Sequence, residues 1–184
     1  GYMKFREGDE IRGTGPVMEN LDQAKSVLEE FLSGLSESTR KLVESQVTAV
    51  RQLAPQKGSA AENTRGSFSP SQKAIGINLG TGTESTIQHE AGHAGDAALG
   101  AQGAKPGGSK MASEQTGTLQ NKVVKQIQKK MIAQMKKAGA SQKHITDYLG
   151  TEKELFAEMV QKSSPEVREI LLSTTDAAEG TRRL

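Results

Sequence analysis

The chain has no cysteine and no tryptophan, only three histidines, and 3% aromatic residues among 184. Without cysteine there is no disulfide and no thiolate-held metal, so a metal would have to be bound by imidazole and carboxylate groups. The absence does not fix the compartment, because cysteine-free proteins occur on both sides of a membrane. No apolar run approaches the roughly 20 residues that cross a bilayer, and nothing at the N-terminus resembles a signal peptide. The formal charge of +2 is too small to imply a nucleic-acid partner by itself. With 34% hydrophobic residues and 20 glycines, the single domain this length allows needs a small aliphatic core with long loops around it.

Two of the three histidines fall in one stretch, Gln88-His89-Glu90-Ala91-Gly92-His93-Ala94-Gly95-Asp96. His89 and His93 stand four residues apart with Glu90 directly after the first, the HExxH pattern of zinc-dependent hydrolases. On a helix, positions i and i+4 project from one face, so both imidazoles can reach one ion with Glu90 beside it. By chance this pattern is expected on the order of once in a hundred such chains or less. The bland reading is a polar helix with solvated histidines. Against it, Ile87, Ala91, Ala94, Ala97, Ala98 and Leu99 make this a helix that packs inside the fold. Polar groups buried there cost about 2 kcal/mol or more each unless something such as a metal compensates them.

Along the chain, residues 1–19 are polar and glycine-rich and read as a flexible arm. A single domain is expected over 20–173, followed by a tail at 174–184. Its first part, 20–61, holds two helices. One opens at the Asn20-x-x-Gln23 capping pair, with Leu21, Ala24, Leu28, Phe31, Leu32 and Leu35 at helical spacing. The second is predicted over Ser36 to Ala54, with Leu42, Val43, Val47, Val50 and Leu53 on one stripe and Pro55 ending it. Between 62 and 100, the alternation Ile75, Ile77, Leu79 and the turn Pro70-Ser71-Gln72 predict a β-hairpin ahead of the HExxH helix, which Thr83 would cap and Gly100 would stop. Residues 101–117 read as a mobile loop. In 118–173 a long helix runs to Ala138 and Gly139, with Val124, Ile127, Met131 and Met135 on its apolar stripe. The fold class is α+β, mostly helical, with a small antiparallel sheet or hairpin beside the HExxH helix.

Between Glu114 and Asp147 there are seven lysines and no acid. A solvated helix face accounts for them; the alternative is attraction of an acidic substrate, a membrane surface or nucleic acid, with strongly salt-dependent binding as its signature. No nucleic acid is expected, since no aromatics interleave the lysines.

A catalytic zinc site needs three protein ligands and one open position. Asp96, His144, Glu154 and Glu158 are the candidates for the third. Asp96 lies on the HExxH helix itself, where closing a tetrahedron is difficult, and is expected to orient a ligand histidine instead. His144 sits near the start of a short helix, Ser141 to Leu149. Glu154 and Glu158, i and i+4 on another helix, can both face the histidines, although Thr151-x-x-Glu154 also matches a capping box.

The set Gly66-x-Phe68-x-Pro70, Ile75-x-Ile77-Asn78, His89-Glu90-x-Gly92-His93-x-x-Asp96 and Glu154-x-Phe156-Ala157-Glu158 resembles the gluzincin metallopeptidases, and most of all the toxin-associated family of the anthrax lethal factor catalytic domain. The resemblance covers about residues 62–173. It implies a zincin-like fold, a zinc held by His89, His93 and Glu154, Glu90 as catalytic base, and Glu158 behind the ligands. It also implies an oxyanion-donating tyrosine, matched by Tyr148; because its spacing is one residue shorter than the family's, His144 is the alternative for that role.

The expected activity is zinc-dependent endopeptidase of a toxin or effector type, acting as a monomer on a protein or peptide bound in extended form along the strand near Ile75–Leu79. Secretion or delivery into a target cell goes with that reading. The alternative is a non-catalytic, zinc-stabilised binding or structural module of a phage or toxin protein, with four protein ligands including His144.

Overall fold

The computed structural model describes residues 16–54, 64–103 and 110–173. The expected arm over residues 1–15, the loop residues 104–109 and the tail 174–184 lie outside the described residues.

Two helices form the centre. The HExxH helix α3 spans Glu84–Gly103, and α7 spans Glu152–Lys162. Both are buried on nearly every side: Ile87, Ala91, Ala94 and Leu99 on the first, and Leu155, Phe156, Met159 and Val160 on the second, have at most 1% exposure. They can approach closely because Gly92 faces Ala157: a Cβ at Gly92 would lie 3.1 Å from the Ala157 Cα and 3.2 Å from the Val160 Cβ. The remaining helices are α1 (Leu21–Ser33), α2 (Glu37–Glu44), α4 (Ala112–Gln115), α5 (Lys122–Lys137), α6 (Gln142–Leu149) and α8 (Pro165–Leu172), with a 3-10 turn at Thr118–Gln120. They pack on this pair, except α5, which packs on α6 and the 3-10 turn.

Several local signals read in the sequence recur in the caps. Asn20 accepts from the Gln23 amide, and Gln23 in turn accepts from the Glu19 amide. Arg168 of α8 donates to the carbonyls of Val160 and Gln161, closing the C-terminus of α7 while its guanidinium lies 4.8 Å above the Phe31 ring.

The predicted hairpin forms: β2 (Gly66–Ser69) and β3 (Ala74–Ile77) pair antiparallel, Phe68 opposite Ile75, through a turn in which Lys73 takes φ 50°. The sheet is larger than a hairpin, however. The second helix ends at Glu44, and Ala49–Gln52 is a strand, β1, pairing parallel with β3 to give a mixed sheet of order β1-β3-β2. This corrects the predicted helix from Ser36 to Ala54. The β-branched Val47, Thr48 and Val50 are tolerated in either state, and the parallel ladder to the central strand β3 decides the matter because it pairs the backbone of both strands.

Three other boundaries shift. The last residues of the expected arm are docked: Val17 bridges Thr83, the Met18 amide donates to the Gly82 carbonyl, and Met18 is buried. Gly100 does not stop α3; a Cβ there would meet the Lys110 carbonyl oxygen at 2.0 Å, so its role is to admit the returning chain. Within the expected 101–117 loop, α4 is a helical turn whose Ala112 and Ser113 are buried.

Candidate metal centre

His89 and His93 project from α3 toward α7, with ring centroids 4.8 Å apart. Glu154, in the first turn of α7, meets both. Its Oε2 lies 2.9 Å from His89 Nε2 and its Oε1 lies 3.2 Å from His93 Nε2. One ligand atom from each of these three residues can be chosen so that all lie within 4.8 Å of one another. The capping-box alternative for Glu154 fails locally, since Thr151 makes no side-chain cap hydrogen bond.

Glu158, one turn further along α7, places Oε1 2.9 Å from His89 Nδ1 and Oε2 3.4 Å from the Lys162 ammonium. The contact to Nδ1 satisfies the distance but not the alignment of a hydrogen bond, and we treat it as a close ion-pair contact. The other outer nitrogen, His93 Nδ1, is buried with no hydrogen-bond partner among the described residues. Asp96, fully buried, is used elsewhere: it accepts from the Ser113 amide and hydroxyl and so anchors the start of α4 beneath α3.

The electrostatics follow from burial and pairing. Burial opposes a charged His89, but its contacts with Glu154 and Glu158 outweigh that and hold its pKa well above the ordinary value. Burial likewise opposes ionised Glu154 and Glu158. The two imidazoles depress Glu154 nonetheless, and His89 with Lys162 depresses Glu158. Glu90 differs: burial dominates and raises its pKa, with the histidines pulling the other way. Asp96 is pushed up to about 6 by burial, against its bonds to Ser113.

On the open side, Tyr148 of α6 is 39% exposed, with its ring 6.1 Å from that of His89. His144, one turn earlier, stacks on Tyr148 at 4.5 Å and is not among the three grouped donors. Burial raises the Tyr148 pKa, as do the Glu158 and Glu154 charges; burial lowers that of His144. Arg65, just ahead of β2, acts on both residues through its charge and was not singled out in the sequence.

Comparison of the chain with family models, curated proteins and solved structures returned no match. The chemistry of the donor set therefore carries the argument. Two imidazole nitrogens and a carboxylate converging from two buried helices form a set that suits a divalent cation.

The strand expected to carry substrate is not available. β3 is paired on both sides over Ala74–Ile77, so no extended peptide can add to it. Among the described residues, the sheet edge close to the histidines is β2. A Cβ on Gly66 would lie 2.5 Å from the Thr86 methyl and 3.4 Å from the Glu90 Cγ, so this edge runs directly beside the HExxH side chains.

Proposed function

We propose that the chain is a zinc-dependent endopeptidase of gluzincin type, with His89, His93 and Glu154 as metal ligands and Glu90 as the general base. The observation that carries this reading is the convergence of three donor atoms within 4.8 Å from α3 and α7, with Glu90 next in sequence to a donor and buried. A cation bound there supplies Lewis acidity, polarising a carbonyl and acidifying a water.

The protein's own groups account for the remaining steps. Glu90, its pKa raised by burial, accepts the proton of the attacking water and returns it to the departing amine nitrogen. Tyr148 retains its phenolic proton, since its pKa is raised, and donates it in a hydrogen bond to the developing oxyanion. His144, stacked on that ring, restricts its orientation. The outer edge of β2 offers backbone groups to an extended substrate beside Glu90. The likeness of the motif set to lethal-factor-type proteases favours a toxin or effector role.

Elemental mass spectrometry of purified wild type, His89→Ala and Glu154→Ala tests the metal assignment, with one zinc per chain expected only in the wild type. Cleavage of a peptide library by wild type and Glu90→Gln tests the chemistry. Glu90→Gln is expected to keep zinc and lose turnover. Zinc binding with no cleavage by wild type would instead support the non-catalytic, zinc-stabilised module.

A further inference from the structure

Lys162 has no place in the chemistry described so far. It sits in the last turn of α7 with a residue exposure of 4%, beside the fully buried Met159 and Val160. Glu154, Glu158 and Lys162 follow one another at four-residue intervals, so they form one stripe on α7. Lys162 Nζ lies 3.4 Å from Glu158 Oε2, and Glu158 Oε1 lies 2.9 Å from His89 Nδ1. We propose that Lys162 is a positioning residue of the metal centre: its buried ammonium clamps Glu158 as a carboxylate aimed at His89 Nδ1. That aim keeps the His89 proton on Nδ1 and the Nε2 lone pair directed at the cation. The inference rests on the reading of His89, His93 and Glu154 as metal ligands.

Two features of the site carry it. The first is charge. Glu158 is a buried carboxylate with the equally buried Lys162 Nζ 3.4 Å from its Oε2, so the lysine supplies a compensating charge beside it. An uncompensated charge in such surroundings costs several kcal/mol, so a buried lysine here is tied to the carboxylate it neutralises. The second is the tautomer. A neutral imidazole carries one N–H, and an acceptor that cannot donate, such as the Glu158 carboxylate, holds that N–H on Nδ1. Because the Glu158 contact to Nδ1 is close but misaligned, the angle of the carboxylate decides whether the bond closes, and Lys162 holds its other oxygen.

The test is zinc affinity measured by competition with a chromogenic chelator, together with the visible spectrum of the cobalt-substituted protein. It compares wild type with Lys162→Arg, Lys162→Met, Glu158→Gln and the Glu158→Gln/Lys162→Met double variant. Lys162→Met should weaken zinc binding by about 10–100-fold and alter the cobalt bands, as loss of an outer-shell partner does. Lys162→Arg should restore most of the affinity. In the Glu158→Gln background the methionine should cause no further loss, because no carboxylate remains to be held. The double variant, which buries no charge at either position, keeps this comparison available if Lys162→Met alone does not fold. Wild-type affinity and an unchanged cobalt spectrum in Lys162→Met, or an equal loss in both backgrounds, would overturn the role of Lys162 while leaving the metal site standing. A wild type that binds no zinc would overturn both.

Discussion

Glu154 and Glu158 share one helix face but stand at different depths: Glu154 reaches both histidine Nε2 atoms, and Glu158 reaches only the far side of His89. Glu154→Ala should therefore abolish zinc binding, whereas Glu158→Ala should weaken it by about 10–100-fold, as read by chelator competition. The reverse order would exchange their roles. Asp96 makes a separate prediction. Its carboxyl titrates near 6 in the folded protein, above its ordinary value of 3.8, because burial disfavours the anion. The folded state thus holds a proton that the unfolded chain releases, and stability of the metal-free protein should fall as pH rises from about 4 to 6. The effect is at most about 3 kcal/mol, by the free energy of a two-unit shift. Asp96→Asn, which can still pair with the Ser113 amide and hydroxyl, should flatten that dependence in denaturant titrations. An unchanged slope would show that Asp96 ionises normally.

At the scale of elements, the site depends on how closely α3 and α7 approach, and Gly92 controls that distance. Alanine there places a Cβ 3.1–3.3 Å from Ala157 and Val160, so the helices must part by tenths of an ångström. Better helix propensity, worth about 0.5–1 kcal/mol, offsets the strain. Gly92→Ala should thus change thermal stability little yet reduce zinc affinity, while Gly92→Val should cost about 1–3 kcal/mol from overpacking. Equal zinc affinity across the three proteins would show that Glu154 reaches the histidines independently of helix spacing. The lysines of α5 stand where either reading of the lysine run needs them. Lys122, Lys125, Lys129, Lys130, Lys136 and Lys137 are exposed, opposite the buried Val124, Ile127, Met131 and Met135. Local patterns read these helices well because their periodicity reports which face is buried. They misread β1, since Val47, Val50 and Leu53 recur at a spacing that fits a helix, and its partner β3 lies 25 residues away.

At the scale of the molecule, two buried helices bring three donors together from positions 65 residues apart. A bound cation should therefore act as a tertiary cross-link. At a free zinc concentration about 100 times the dissociation constant, it stabilises the fold by about 2.7 kcal/mol. Chelation should then lower the melting temperature by roughly 5–10 °C for a chain of this size. A melting temperature insensitive to chelation would argue against a preformed site. No helix among the described residues is long and apolar enough to cross a membrane, as the hydropathy of the sequence also indicates. The sequence by itself determined the donor types, the helical placement of His89, Glu90 and His93, the pairing of Glu154 with Glu158, and the hairpin, because each rests on spacing within one element. Only the tertiary structure decided that Glu154 faces both Nε2 atoms, that Asp96 serves Ser113 rather than a histidine, that β3 is enclosed and β2 forms the edge, and that Lys162 stands behind Glu158. Each of these is a meeting between distant segments or a matter of burial, and spacing along the chain carries no record of what lies across the core.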